Sequence, residues 1–296
     1  MIQYTGDRKI PGREHGIYLW REPKRNLHRC SLGKRQERVL RLLYPPRCIL
    51  CDTILVKGEE GCCRACAKKL PKVEGPTCFQ CGKPVGSWET EYCDDCLRTR
   101  HWFDQGAAAV IYTGAMRRSV YRMKADNRRD YLDFYAVLMA EVLQKHLHIW
   151  QPELLIPVPM HWKKRQKRGY NQSELLAKKL SRLTGIPVEQ NLICCVRPHT
   201  EQKQLGRKAR MENLKGSFAL RKPAGGLQRV LLVDDVYTTG STTDALARLL
   251  REAGIRHIFF LVLCIGKGKK TVCTAENVCY TEIEMRSERR GQNEQH

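Results

Sequence analysis

Two sets of residues in this chain carry chemistry by type and spacing. The first is four Cys-x-x-Cys pairs: Cys48 with Cys51, Cys63 with Cys66, Cys78 with Cys81, and Cys93 with Cys96. A two-residue gap lets two thiolates grip one tetrahedral ion from a tight turn. Eight thiolates make two four-cysteine sites, and closed all-thiolate tetrahedra suit Zn2+. The pairs start every 15 residues, a regularity that isolated core or redox thiols do not show. Spacing leaves two pairings open: first with second and third with fourth, or first with third and second with fourth. Cys62 is an extra neighbour, but Cys63 keeps the two-residue gap to Cys66. A closed site has no open coordination position, so the expected role is structural or partner-binding.

The second set is the run Val230-Leu231-Leu232-Val233-Asp234-Asp235-Val236-Tyr237-Thr238-Thr239-Gly240-Ser241-Thr242. Four apolar residues read as a buried strand, with two carboxylates at its tip. Hydroxyls and a glycine then lead into a helix. Backbone N–H groups of such a loop bind phosphate, helped by the helix dipole. Asp234 and Asp235 can accept from the vicinal hydroxyls of a ribose, or face a hydrated Mg2+. A ribose 5-phosphate fits this order of groups. An ordinary strand-to-helix junction needs only a cap at Ser241 or Thr242.

The elements that must position these groups follow from periodicity. Apolar runs predict strands at 107–112, 153–158, 229–233 and 257–263. Helical spacing predicts helices over 131–148, 172–183 and 242–253, the last two closed by Gly185 and Gly254. Strands alternating with helices imply an α/β fold with an open, mainly parallel sheet, whose ligands sit at the carboxyl ends of strands. Residues 39–44 could add a helical turn or two, stopped by Pro45 and Pro46.

Composition bounds the rest. The chain has 296 residues, 53 Lys plus Arg, 31 Asp plus Glu and a formal charge of +22. Its 42% apolar content is enough for a core and argues against wholesale disorder. No apolar run reaches the ~18 residues of a membrane span, and the N-terminus lacks a secretory h-region. A cytoplasmic location follows as an expectation, where cysteines serve metal sites more than disulfides. Charge and cysteine content divide the chain into a basic leader (1–43), a double ribbon module (44–100), a long basic α/β domain (101–266) and a polar tail (267–296). Residues 48–100 are net neutral, while 101–270 carry net +16. That charge gathers in three runs at 117–129, 163–168 and 197–215, read as connections or element ends near the phosphate site. It implies a polyanionic partner, a phosphorylated small molecule, nucleic acid or both, with Tyr121, Trp162 and Tyr170 as stacking candidates.

The run from Val230 to Thr242 resembles the phosphoribosyl pyrophosphate (PRPP) signature of type I phosphoribosyltransferases. With the cysteine module, Ile156-Pro157-Val158-Pro159, Lys167-Arg168-Gly169-Tyr170-Asn171-Gln172-Ser173 and the stretch from Arg197 to Phe218, the chain resembles the ComF family of competence-associated proteins. The resemblance covers roughly 44–266. It implies a type I phosphoribosyltransferase-like sheet behind a double zinc ribbon. It assigns Asp234 and Asp235 to the ribose hydroxyls and Thr238, Thr239, Gly240, Ser241 and Thr242 to the 5-phosphate. Arg165, Lys167 and Arg168 fall in the pyrophosphate loop, residues 197–215 in a mobile hood, and Lys124 where the family has a lysine after its first strand. The glycine expected near residues 125–127 is absent. Implied partners are PRPP with Mg2+, single-stranded DNA and a helicase-like competence protein. An active phosphoribosyltransferase of nucleotide or amine salvage, with no DNA role, is the competing expectation.

Overall fold

A computed structural model describes residues 45–197, 214, 216–267, 271–273 and 279–281. Residues 39–44 and nearly all of the expected hood lie outside the described residues.

The two ribbons are copies of one motif offset by 30 residues. Asp52 and Gly82 donate their backbone N–H to the carbonyls of Cys48 and Cys78, and Cys48 and Cys78 in turn donate to Thr53 and Lys83. Each knuckle reverses at a left-handed residue, Asp52 (φ 64°) or Gly82 (φ 72°). A single helical turn then follows the third cysteine of each group: α1 (Arg64–Ala67) and α2 (Asp94–Leu97).

The sheet contains β1 (Gln105–Ile111), β2 (Leu154–Pro157), β5 (Arg229–Tyr237) and β6 (His257–Ile265) in the order β1-β6-β5-β2, all parallel. Between them run α3 (Gly114–Ala125), α4 (Tyr131–Trp150), α5 (Trp162–Arg168), α6 (Gln172–Thr184) and α7 (Ser241–Glu252). Two short antiparallel pairs complete the described elements. They are β3 (Ile193–Cys195) with β4 (Phe218–Leu220), and β7 (Thr271–Cys273) with β8 (Cys279–Thr281) inside the polar tail.

Strand side chains alternate, so each strand feeds two cores. Ala107, Ala109, Leu231, Val233, Phe259 and Leu261 pack with α3, α4 and α6. Ala108, Val230, Leu232, Phe260 and Val262 pack with α7 and the β3–β4 pair. The ribbons divide the same way. Ile49, Leu50 and Leu55 of the first ribbon join the α3/α4/α6 core, whereas Cys78, Cys81 and Cys93 of the second join the α7 core. The sheet is therefore flanked by one ribbon on each face. The second ribbon approaches β1 by backbone, with Gly106 N–H donating to the Gln80 carbonyl at 2.8 Å. A Cβ at Gly82 would meet the Gly106 carbonyl oxygen at 2.5 Å, so no other residue permits this approach.

Candidate functional site

β5 runs to Tyr237, four residues past the expected end, because its ladder with β6 continues to Tyr237↔Ile265. Asp234 and Asp235 thus lie within the strand rather than beyond its tip. The alternation slips there: Val233 and Val236 both join the α4/α6 core, and Tyr237 joins the α7 core.

Neighbouring elements hold each carboxylate. Ser173 Oγ donates to Asp234 Oδ1 at 2.6 Å, and Gln172 Nε2 donates to Asp235 Oδ1 at 3.3 Å. Both donors open α6, whose N-cap is the side chain of Asn171 accepting from Ser173 N–H. Lys124, in the last turn of α3, pairs with Asp235. Burial favours the neutral acid at Asp235, but the Lys124 ammonium and the hydrogen bonds outweigh it and hold the carboxyl below its ordinary range. Asp234 is pushed the other way, up to about 8, by burial and by the charge on Asp235. Burial opposes the charge on Lys124, yet Asp235 raises its pKa. The two neighbouring carboxyls are thus pushed in opposite directions, with the Lys124 ammonium against Asp235.

The loop after the strand contains Thr238, exposed, Thr239, half-buried, and Gly240, buried. Gly240 is the N-cap of α7 at φ 77°, and no side chain caps the helix. The first amides of α7 are therefore open to an anion. Thr239 Oγ1 and Ser241 Oγ lie 3.0 Å apart, and the Thr242 side chain opens the same turn. Gly240 is required sterically as well, since a Cβ there would lie 2.4 Å from Tyr237 Oη.

The expected pyrophosphate loop is the helix α5, with Lys167 exposed on it. Arg168 Nη1 donates to Gln172 Oε1 at 2.6 Å, so one glutamine links it to Asp235. Arg165 pairs with Glu174 at 3.2 Å. The basic run 117–129 is mostly helical, and part of its charge serves the first ribbon. Arg122 Nη2 donates to the Ile49 and Leu50 carbonyls at 2.9 and 2.8 Å, and Arg128 pairs with Asp52 at 2.8 Å. Where the glycine was expected, Asn127 takes a left-handed φ of 54°. Asparagine tolerates that region better than most residues. Tyr170 is not a stacking surface: it is buried, its ring lies under Arg129 at 4.5 Å, and its hydroxyl donates to the Met123 carbonyl. Tyr121 and Trp162 remain exposed. Sequence reading did not place Gln172 and Ser173 against the carboxylates, nor the exposed aromatics Phe79, Trp88 and Tyr92 of the second ribbon.

The zinc pairing is consecutive. Cys48, Cys51, Cys63 and Cys66 form one group and Cys78, Cys81, Cys93 and Cys96 the other, with all sulfurs of a group within 4.8 Å. A tetrahedron with metal–sulfur bonds of ~2.3 Å has edges of about 3.8 Å. The Cys51–Cys63 and Cys81–Cys93 sulfurs, 3.8 and 3.5 Å apart, fit it. Cys62 lies outside both groups, and burial with the nearby Cys48 pushes its thiol up to about 12.

These features define the class: two four-cysteine zinc ribbons on an open parallel α/β sheet, with an acidic pair and an uncapped helix at the end of one strand. The family comparison agrees on the ribbons. A double zinc ribbon domain family matches residues 39–97. Competence protein F of Haemophilus influenzae is 32% identical over 218 residues, 72% of this chain and 93% of that protein. DNA utilization protein YhgH of Salmonella typhi is 31% identical over 75% of this chain and 98% of its own. Competence protein ComFC of Bacillus subtilis is 26% identical over 70% and 89%. The chain belongs to the ComF family of competence-associated proteins. Among solved structures, a purine phosphoribosyltransferase from Pyrococcus horikoshii aligns at TM-score 0.30 and 22% identity, over 45% of this chain and 72% of that one. No helix among the described residues is long and apolar enough to cross a membrane.

Proposed function

We propose that the β5–α7 junction binds PRPP. Asp234 and Asp235 receive the ribose hydroxyls, residues 238–242 wrap the 5-phosphate, and Arg168 with Lys167 faces the pyrophosphate, on which Mg2+ arrives as part of the ligand. The observation that carries this reading is the juxtaposition of two adjacent carboxylates, held by Lys124, Gln172 and Ser173, with the uncapped N-terminus of α7. Three elements fix the carboxylates: α3 through Lys124, α6 through Gln172 and Ser173, and β5 itself. If transfer occurs, the anomeric C–O bond breaks, pyrophosphate leaves with the electron pair, and a nitrogen nucleophile forms the new bond and loses a proton. The role we assign is DNA uptake in the cytoplasm, handling single-stranded DNA beside a helicase-like partner. It draws on the names of the relatives, and exposed Tyr121 and Trp162 beside basic residues are in keeping with it. A fluorescence titration with labelled single-stranded DNA tests that role, and binding is expected to weaken steeply with salt. Pyrophosphate release from PRPP with a nucleobase or amine, in a protein that binds no DNA, would favour salvage instead.

A further inference from the structure

The second ribbon does more than cover a sheet face. Lys83, two residues beyond the zinc ligand Cys81, is only 3% exposed. A buried ammonium needs compensation. One partner lies within the ribbon, as Lys83 Nζ is 2.6 Å from Asp95 Oδ2. The other lies outside it: Nζ stands 5.6 Å from the centroid of the Tyr237 ring. Tyr237 is the last residue of β5. It stacks on Phe260 at 4.6 Å and 7°, and meets Phe103 edge-on at 6.3 Å. Its hydroxyl lies beneath Gly240, where an added Cβ would approach to 2.4 Å. A continuous path of contacts thus runs from a zinc knuckle through an ammonium and a phenol to the floor of the loop 238–242.

We propose that Lys83 is a positioning residue for that loop: through the Tyr237 ring, the second zinc ribbon sets the backbone that grips the 5-phosphate. This rests on the reading of the β5–α7 junction as a phosphoribosyl site, and it deepens that reading by giving the ribbon a part in ligand affinity. A desolvated ammonium on an aromatic face is a sizeable interaction. The contact concerns only the 5-phosphate end, since the pyrophosphate residues lie on α5.

Calorimetry of the full-length zinc-loaded protein with ribose 5-phosphate and, separately, inorganic pyrophosphate tests it. Lys83→Met should weaken ribose 5-phosphate by roughly three- to tenfold and leave pyrophosphate unchanged, with two zinc ions per chain retained. Lys83→Arg should restore affinity, because guanidinium also stacks on aromatic faces. Adding Lys83→Met to Tyr237→Leu should cost nothing further. Unchanged ribose 5-phosphate affinity in Lys83→Met would overturn the proposal. So would loss of zinc with both ligands weakened alike, which assigns Lys83 to ribbon folding alone. Wild-type protein that binds neither ligand would refute the phosphoribosyl reading instead. Hydrogen exchange at amides 238–242 then decides the contact: faster exchange in Lys83→Met supports it, and equal exchange overturns it.

Discussion

Gly240→Ala isolates the contact between Tyr237 and the phosphate loop. Two costs add at this position. Gly240 sits at φ 77°, and holding a non-glycine residue in the left-handed region costs ~1–2 kcal/mol. The new Cβ would also lie 2.4 Å from Tyr237 Oη and 2.8 Å from Cζ, so one of the two must move. Tyr237 cannot move cheaply, being 4% exposed and stacked on Phe260. Overpacking of this kind adds ~1–3 kcal/mol. The total is about 2–5 kcal/mol, a fall in melting temperature on the order of 5–15 °C for a domain of this size. Gly185→Ala is the control. It has the same φ of 77° with nothing within 4 Å of the added Cβ, so it bears the backbone cost alone. The assay is thermal unfolding of both variants with zinc present, followed by titration with inorganic phosphate. Gly240→Ala should be the less stable of the two by several degrees and should bind phosphate more weakly. Tyr237→Phe, which removes the closest atom, should recover part of the difference. Equal melting temperatures for the two alanine variants would refute a fixed Tyr237 beneath the loop.

Other outcomes follow from the same geometry. Asp234, with its folded pKa pushed up to about 8, holds a proton that the unfolded chain releases near pH ~4. Stability therefore falls as pH rises between these values, and thermal unfolding of Asp234→Asn across that window should show a flatter dependence. Arg122→Ala removes the donor to the Ile49 and Leu50 carbonyls, hydrogen bonds worth ~1.5–3 kcal/mol each to a charged group. Hydrogen exchange should accelerate in residues 46–66 and stay unchanged in the second ribbon. A chelator with a colorimetric zinc readout should empty the sites in order, the first ribbon sooner, because Cys51 is exposed while Cys78, Cys81 and Cys93 are buried.

The chemistry of this chain was more legible in its sequence than the geometry was. The Cys-x-x-Cys spacing announces two metal sites because ligand gaps are local. It leaves the pairing open because that depends on a hairpin repeated at 30 residues, visible only as the matched hydrogen bonds around Cys48 and Cys78. The long strands and the helices α4, α6 and α7 are legible from periodicity. β3 and β4, three residues each, are too short to carry a period. The carboxylates were legible as a pair, but their supports were not. Gln172, Ser173 and Lys124 reach them from elements 61 or more residues away, and no local pattern encodes a contact at that separation. Arg122 and Arg128 show the converse: a run of cations reads as one anion site, although two of its members bind the backbone and a carboxylate of the first ribbon.

The central claim is that Asp234 and Asp235 hold the ribose of PRPP. Isothermal calorimetry of PRPP with Mg2+, on the wild type and on Asp234→Asn with Asp235→Asn, tests it most directly. Hydrogen bonds to charged groups are worth ~1.5–3 kcal/mol, so the double variant should bind at least tenfold more weakly. Equal affinity in the two proteins would contradict the account.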